Sequence, residues 1–125
     1  MTHSVSFAAV ENTSMFRGVD TEMIREMFLT KSLETPVMLM SRSEIQRNYD
    51  ALKAALPRVR IHYAVKSNNE QIIIDEVYAR GGNFDICSAR EFDTVARTGV
   101  DPTTLIHSHP IKSVYEFDYA VGKGV

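Results

Sequence analysis

Ile61-His62-Tyr63-Ala64-Val65-Lys66-Ser67-Asn68 is an apolar run that delivers one lysine to the point where a polar turn begins. An amine attacks a carbonyl only when it is neutral, and a strand end that strips solvation from a lysine favours that form. Lys66 is therefore a candidate covalent anchor for a carbonyl-bearing cofactor. Taken alone, the run also fits a strand whose last lysine reaches for water. The sequence on either side decides between the two.

Three Ser-x-x-Glu signals punctuate that sequence: Ser41 with Glu44, Ser88 with Glu91, and Ser113 with Glu116. Each reads as a capping box, in which the serine oxygen accepts from a free N–H of the first helical turn and the glutamate reaches back to the serine N–H. Apolar residues follow at helical spacing. Ile45, Tyr49, Leu52 and Leu56 run up to Pro57; Phe92, Val95 and Ala96 run up to Gly99; Val114, Phe117, Ala120 and Val121 run up to Gly124. A further helix over 70–80 turns Ile73, Ile74, Val77 and Tyr78 inward and ends at Gly81-Gly82.

Strand-like runs lie between these helices, over 60–65, 83–87 and 104–107, at intervals of roughly 20 residues. Parallel neighbours need a crossover, and a helix supplies it, so the pattern reads as consecutive βα units on a parallel sheet. Upstream, Asp20 is placed to cap a helix from Thr21 to Leu29 with Met23, Ile24, Met27 and Phe28 on one side. Residues 35–40, Thr-Pro-Val-Met-Leu-Met, read as a strand.

Charge and cysteine usage narrow the class. With 14 basic and 16 acidic residues the formal charge is -2, which offers no electrostatic footprint for nucleic acid or an anionic membrane. A small molecule or another protein is the expected partner. The lone Cys87 has no disulfide partner within the chain, and Met1 to Gly18 lacks the basic start and apolar core of a signal peptide. No run approaches the roughly 18 apolar residues of a membrane span. A cytoplasmic location is expected.

Reading on from Lys66, the chain gives Phe84-Asp85-Ile86-Cys87-Ser88-Ala89-Arg90-Glu91, then Gly99-Val100-Asp101-Pro102, then Ile106-His107-Ser108-His109-Pro110-Ile111-Lys112. This ordered set resembles the pyridoxal-phosphate-dependent ornithine/lysine decarboxylase family, whose fold is the alanine-racemase-like barrel. Tyr63-Ala64-Val65-Lys66-Ser67-Asn68 matches the lysine motif, and the later segments match F-D-x-x-S-x-x-E and G-V-D-P. The resemblance spans about residues 35 to 125.

It implies a (β/α)8 barrel, in which chemistry gathers at the C-terminal ends of the strands. Residues 35–125 would be its N-terminal part, with the first three barrel units, and residues 1–34 an extension with one helix. The strand over 35–40 would belong to the family's separate β-domain. A whole barrel takes about 250 residues, so a chain of 125 is expected to be a fragment or truncated product, inactive alone. The phosphate-binding glycine loop, the histidine stacked on the cofactor, the acidic partner of its ring nitrogen and the residues lent by a second subunit would all lie beyond residue 125. The full-length form would be a homodimer.

The resemblance also assigns roles. Lys66 would hold pyridoxal 5'-phosphate as a Schiff base until a basic amino acid displaces it, and the cofactor would store the electrons released with carbon dioxide. Asp85 would lie near that lysine and favour a protonated imine; Ala64 would leave room beside the cofactor ring. Glu91 carries two readings, a catalytic carboxylate near Lys66 and the glutamate of a capping box. Cys87 reads as a core residue. His107-x-His109 carries a metal-ligand spacing that a loop also explains.

Asn69 stands where the family usually has proline, and His109 replaces a frequent asparagine. Ornithine decarboxylation to putrescine, a step of polyamine biosynthesis, is the expected reaction. The rivals are an antizyme-inhibitor-like regulator without activity, and a lysine, arginine or diaminopimelate decarboxylase or a racemase on the same scaffold.

Overall fold

The computed structural model describes residues 21–30, 36, 38 and 40–125, the Met23 side chain excepted. In chain order these form α1 (Thr21–Leu29), α2 (Arg42–Ala55), β1 (His62–Ala64), α3 (Gln71–Ala79), β2 (Asn83–Ile86), α4 (Ala89–Ala96), β3 (Ile106–His107) and α5 (Val114–Gly122). Short 3-10 turns follow β1 (Val65–Ser67) and precede β3 (Pro102–Thr104). The chain divides into two compact units between Ser41 and Arg42.

Helix α1 has the bounds its sequence pattern predicts, with Ile24, Met27 and Phe28 half-buried. Its expected cap, Asp20, lies outside the described residues, as do residues 35, 37 and 39 of the expected strand. Pro36, Met38 and Met40 are described, and none belongs to a strand.

In the second unit the strands pair in parallel in the order β1-β2-β3. Successive side chains on a strand face opposite sides, and β2 shows it directly: Phe84 and Ile86 are buried while Asn83 and Asp85 are half-exposed. Register extends this alternation across the sheet. Tyr63 beside Phe84 and His107 beside Ile86 share the helix-facing side; Ala64, Asp85 and Ile106 form one row on the other.

The core lies between the sheet and its crossover helices. Ile73, Ile74 and Val77 of α3 and Phe92 and Val95 of α4 pack with Phe84, Ile86 and Val65, while α2 adds Tyr49. One polar ring enters this layer: both nitrogens of His107 are buried without a hydrogen-bond partner.

Ser88 and Ser113 cap α4 and α5 as expected, each hydroxyl accepting from the amide of its glutamate, Glu91 or Glu116. The reciprocal halves of the boxes go elsewhere. Glu91 accepts from the Cys87 N–H at 2.7 Å, one residue before the cap, and Glu116 crosses to accept from Ala89 N–H of α4 at 2.5 Å. The first N–H groups of a helix lack intrahelical acceptors, so the start of α4 can draw in a carboxylate from its neighbour.

Several apolar residues expected to point inward do not. Leu52 of α2, Leu56 just past its end, Tyr78 of α3 and Ala96 of α4 are exposed, as are Val114, Phe117 and Val121 of α5; Ala120 alone of the predicted α5 face is buried. Amphipathic spacing specifies which residues share a face, not whether another element covers it.

Candidate active site

The turn that carries Lys66 is built by the residues around it. After Ala64 the chain leaves β1 in a 3-10 turn over Val65–Ser67, with Val65 fully buried as its anchor and Lys66 exposed. Ser67 Oγ donates to the Ala64 carbonyl at 2.7 Å, and Tyr63 Oη donates to the Asn68 carbonyl at 2.9 Å. Asn68 Oδ1 then accepts the Glu70 N–H at 3.0 Å at the start of α3. Tyr, Ser and Asn at these spacings thus fix the backbone on both sides of the lysine. Lys66 lies on the turn just past the strand and is exposed, so the desolvation expected of a strand end is absent, and its amine makes no hydrogen bond or ion pair among the described residues.

Ala64 and Asp85 are register partners on neighbouring strands, facing away from the helices. Both oxygens of Asp85 are taken by Ser108, the residue after β3: Oδ1 accepts its N–H at 3.1 Å and Oδ2 its hydroxyl at 2.6 Å. Ser108 lies within the segment over 106–112 but has no role assigned from sequence, and only the strand register shows that it meets Asp85. The His107-x-His109 spacing gathers no metal site, since no cluster of three or more potential ligands occurs among the described residues.

Cys87 reads as core in the sequence but is half-exposed, at the end of β2. Burial pushes the thiol pKa up, the Glu91 carboxylate pushes the same way, and the charges of Lys66, Asp85 and Lys112 are all felt there. A cysteine held in its neutral form is a poor nucleophile. Glu91 therefore has two physical effects at Cys87, holding its amide and bringing negative charge to its thiol.

The donor set fits a carbonyl-bearing cofactor. It presents an unpaired, exposed amine, a small side chain in the adjoining row, and carboxylates secured by other partners. Residues 42–125 match the family model described as "Pyridoxal-dependent decarboxylase, pyridoxal binding domain". The chain belongs to this family.

Its relatives bear this out. Ornithine decarboxylase of Mus pahari is 41% identical over 71 residues, 57% of this chain and 15% of that protein. Antizyme inhibitor 2 of Xenopus laevis is 29% identical over 119 residues, 95% of this chain and 26% of that protein. Among solved structures, the lysine/ornithine decarboxylase of Vibrio vulnificus complexed with cadaverine superposes with a TM-score of 0.75 at 32% identity, covering 85% of this chain and 29% of that one. The chain thus spans less than a third of these relatives, and its parallel α/β arrangement is that of the pyridoxal-dependent decarboxylases.

No described helix of this decarboxylase-family chain is long and apolar enough to cross a membrane.

Proposed function

We propose that this chain contributes the lysine-bearing part of a pyridoxal-phosphate-dependent decarboxylase of basic amino acids, with ornithine as substrate and putrescine as product. In this reading, residues 35–125 are the N-terminal portion of a (β/α)8 barrel in a cytoplasmic homodimer. The observation that carries it is the unpaired Lys66 amine, on a braced turn beside the Ala64–Asp85 row.

Pyridoxal phosphate, when bound, supplies a sink for the electron pair released with carbon dioxide. The chain's own residues then have separable tasks. Lys66 provides the nucleophilic amine, and Ala64 leaves space on the strand next to it. Asp85, fixed by Ser108, supplies oriented negative charge, while Glu91 holds the Cys87 amide and so fixes the turn between β2 and α4.

Borohydride treatment of the chain with pyridoxal phosphate, followed by peptide mapping, tests the anchor. A stable pyridoxyl label on Lys66, lost in Lys66→Ala and in Lys66→Arg, is the expected result, because a guanidinium stays protonated. A label concentrated on other lysines overturns it. The chain alone is expected to release no carbon dioxide from ornithine or lysine above the cofactor-only background; turnover abolished by Lys66→Ala would overturn the view of it as one part of a site.

A second reading is favoured by the antizyme inhibitor match, which runs over nearly the whole chain. A non-catalytic regulator would keep the fold and bind a protein instead of turning over an amino acid. Lys66 labelling separates the two readings, since a regulator has no need of a reactive amine.

A further inference from the structure

Lys66, on the turn just past β1, and Asp85, on the neighbouring β2, form no ion pair. Lys66 is two residues beyond Ala64, the register partner of Asp85. Neighbouring strands run about 4.8 Å apart, a distance a lysine side chain can span, and the charges of both residues act on the Cys87 thiol. An ion pair with a carboxylate ties up a lysine amine and opposes its attack on a carbonyl. Here the carboxylate is engaged elsewhere. Ser108 donates its N–H to one oxygen and its hydroxyl to the other, from the first residue after β3.

We propose that Ser108 is a positioning residue that draws the Asp85 carboxylate toward β3 and thereby leaves the Lys66 amine unpaired and open to a carbonyl group. The two donors have different standing. The backbone N–H stays whatever residue follows β3, but the hydroxyl is particular to serine or threonine. Without it Oδ2 loses its partner, and the carboxylate is free to turn toward the lysine. The inference rests on reading Lys66 as the cofactor anchor, yet it concerns the amine itself and needs no cofactor to be seen.

The test uses the full chain and a small aldehyde. Reductive methylation by formaldehyde with cyanoborohydride, read at each lysine by mass spectrometry, reports how available Lys66 is relative to Lys53 and Lys123. Ser108→Ala should slow labelling at Lys66 by about two- to fivefold, the worth of an exposed ion pair, and leave the reference lysines unchanged. Ser108→Thr should label like the original chain. Asp85→Asn added to Ser108→Ala should restore the rate, because the competing carboxylate is gone. Equal or faster labelling of Lys66 in Ser108→Ala overturns the proposal, and so does failure of the double variant to recover. If formaldehyde gives the expected pattern while pyridoxal phosphate labels other lysines, the cofactor assignment falls and the role of Ser108 stands.

Discussion

The two ends of the sheet are finished differently. Around β1 and β2, α3 and α4 cover the sheet with Ile73, Ile74, Val77, Phe92 and Val95, and Phe84 is fully buried beneath them. At β3 the covering helix, α5, buries only Ala120, while Val114 is 78% and Phe117 54% exposed. What joins α5 to α4 is specific rather than extensive. Glu116 reaches Ala89 N–H, Tyr119 donates to Asp93 at 2.5 Å, and the rings of Phe92 and Tyr119 meet edge to face at 5.9 Å. A phenylalanine in one region is a core residue, and in the other it is a surface residue with the same chemistry.

Truncating each phenylalanine gives the sharpest contrast. Phe84→Ala should cost about 3–5 kcal/mol in denaturant unfolding, the usual range for an aromatic removed from a core. Phe117→Ala should stay within about 0.5 kcal/mol, as for an ordinary surface change. Similar losses for the two would mean that α5 is as well packed as α3 and α4.

Gly82 probes the tightest contact on the packed side. A Cβ there would lie 2.5 Å from Val77 Cγ1 and 2.9 Å from both the Tyr49 hydroxyl and the Val77 carbonyl oxygen. Side chains can yield, but the carbonyl belongs to the backbone of α3. Gly82→Ala should therefore destabilise by about 1–3 kcal/mol. A neutral result in thermal melts would show that the α3 terminus shifts more freely than its burial suggests.

On the open side, Glu116→Ala removes the acceptor from Ala89 N–H and should cost about 1 kcal/mol, as for a lost helix cap. Glu116→Gln keeps a side-chain oxygen and should retain part of that stability. If Glu116→Ala unfolds no more easily than the original chain, the link between α4 and α5 contributes nothing.

The smallest expected effect appears only in alkali. Donation to the Asp93 carboxylate holds the Tyr119 hydroxyl proton, and the pKa is pushed up to about 12. A tyrosine that keeps its proton longer in the folded than in the unfolded chain stabilises the fold below the unfolded value of about 10. That contribution is lost as the pH rises from there through about 12. Tyr119→Phe should flatten the decline of melting temperature across this window, and an unchanged decline would place its cause in other groups.

Much of the packed side was legible in the sequence. Residues 71–79 carry a helical apolar period, Gly81 ends the helix with a φ of 75°, and the alternation of β2 shows which side faces the helices. Lys66 could be singled out because it follows a strand-like run, and Asp85 through the F-D-x-x-S-x-x-E segment that carries the family resemblance. The open side was less legible, since Val114, Phe117 and Val121 have the spacing of an inward face whether or not anything covers them. Two polar partnerships were invisible for another reason. Ser108 meets Asp85 from 23 residues away and Glu116 meets Ala89 from 27 residues away, and such pairs exist only once strand register and helix packing are set. Glu91 shows the limit of a local motif: Ser88-x-x-Glu91 announces the helix start, but the glutamate accepts from Cys87 rather than from Ser88.

The reach of Glu116 joins helices of unequal cohesion. Segments with little buried apolar area open locally at lower free energy than those in the core, and by that measure α5 should open before α4. Each opening takes the Glu116 carboxylate with it and strips the acceptor from Ala89, although α4 itself has not moved. Ala89 is two residues from Cys87, within the turn that Glu91 holds. Solvent exchange at the Ala89 amide therefore keeps time with α5, and the first turn of α4 serves as a local gauge of how firmly the last helix is seated.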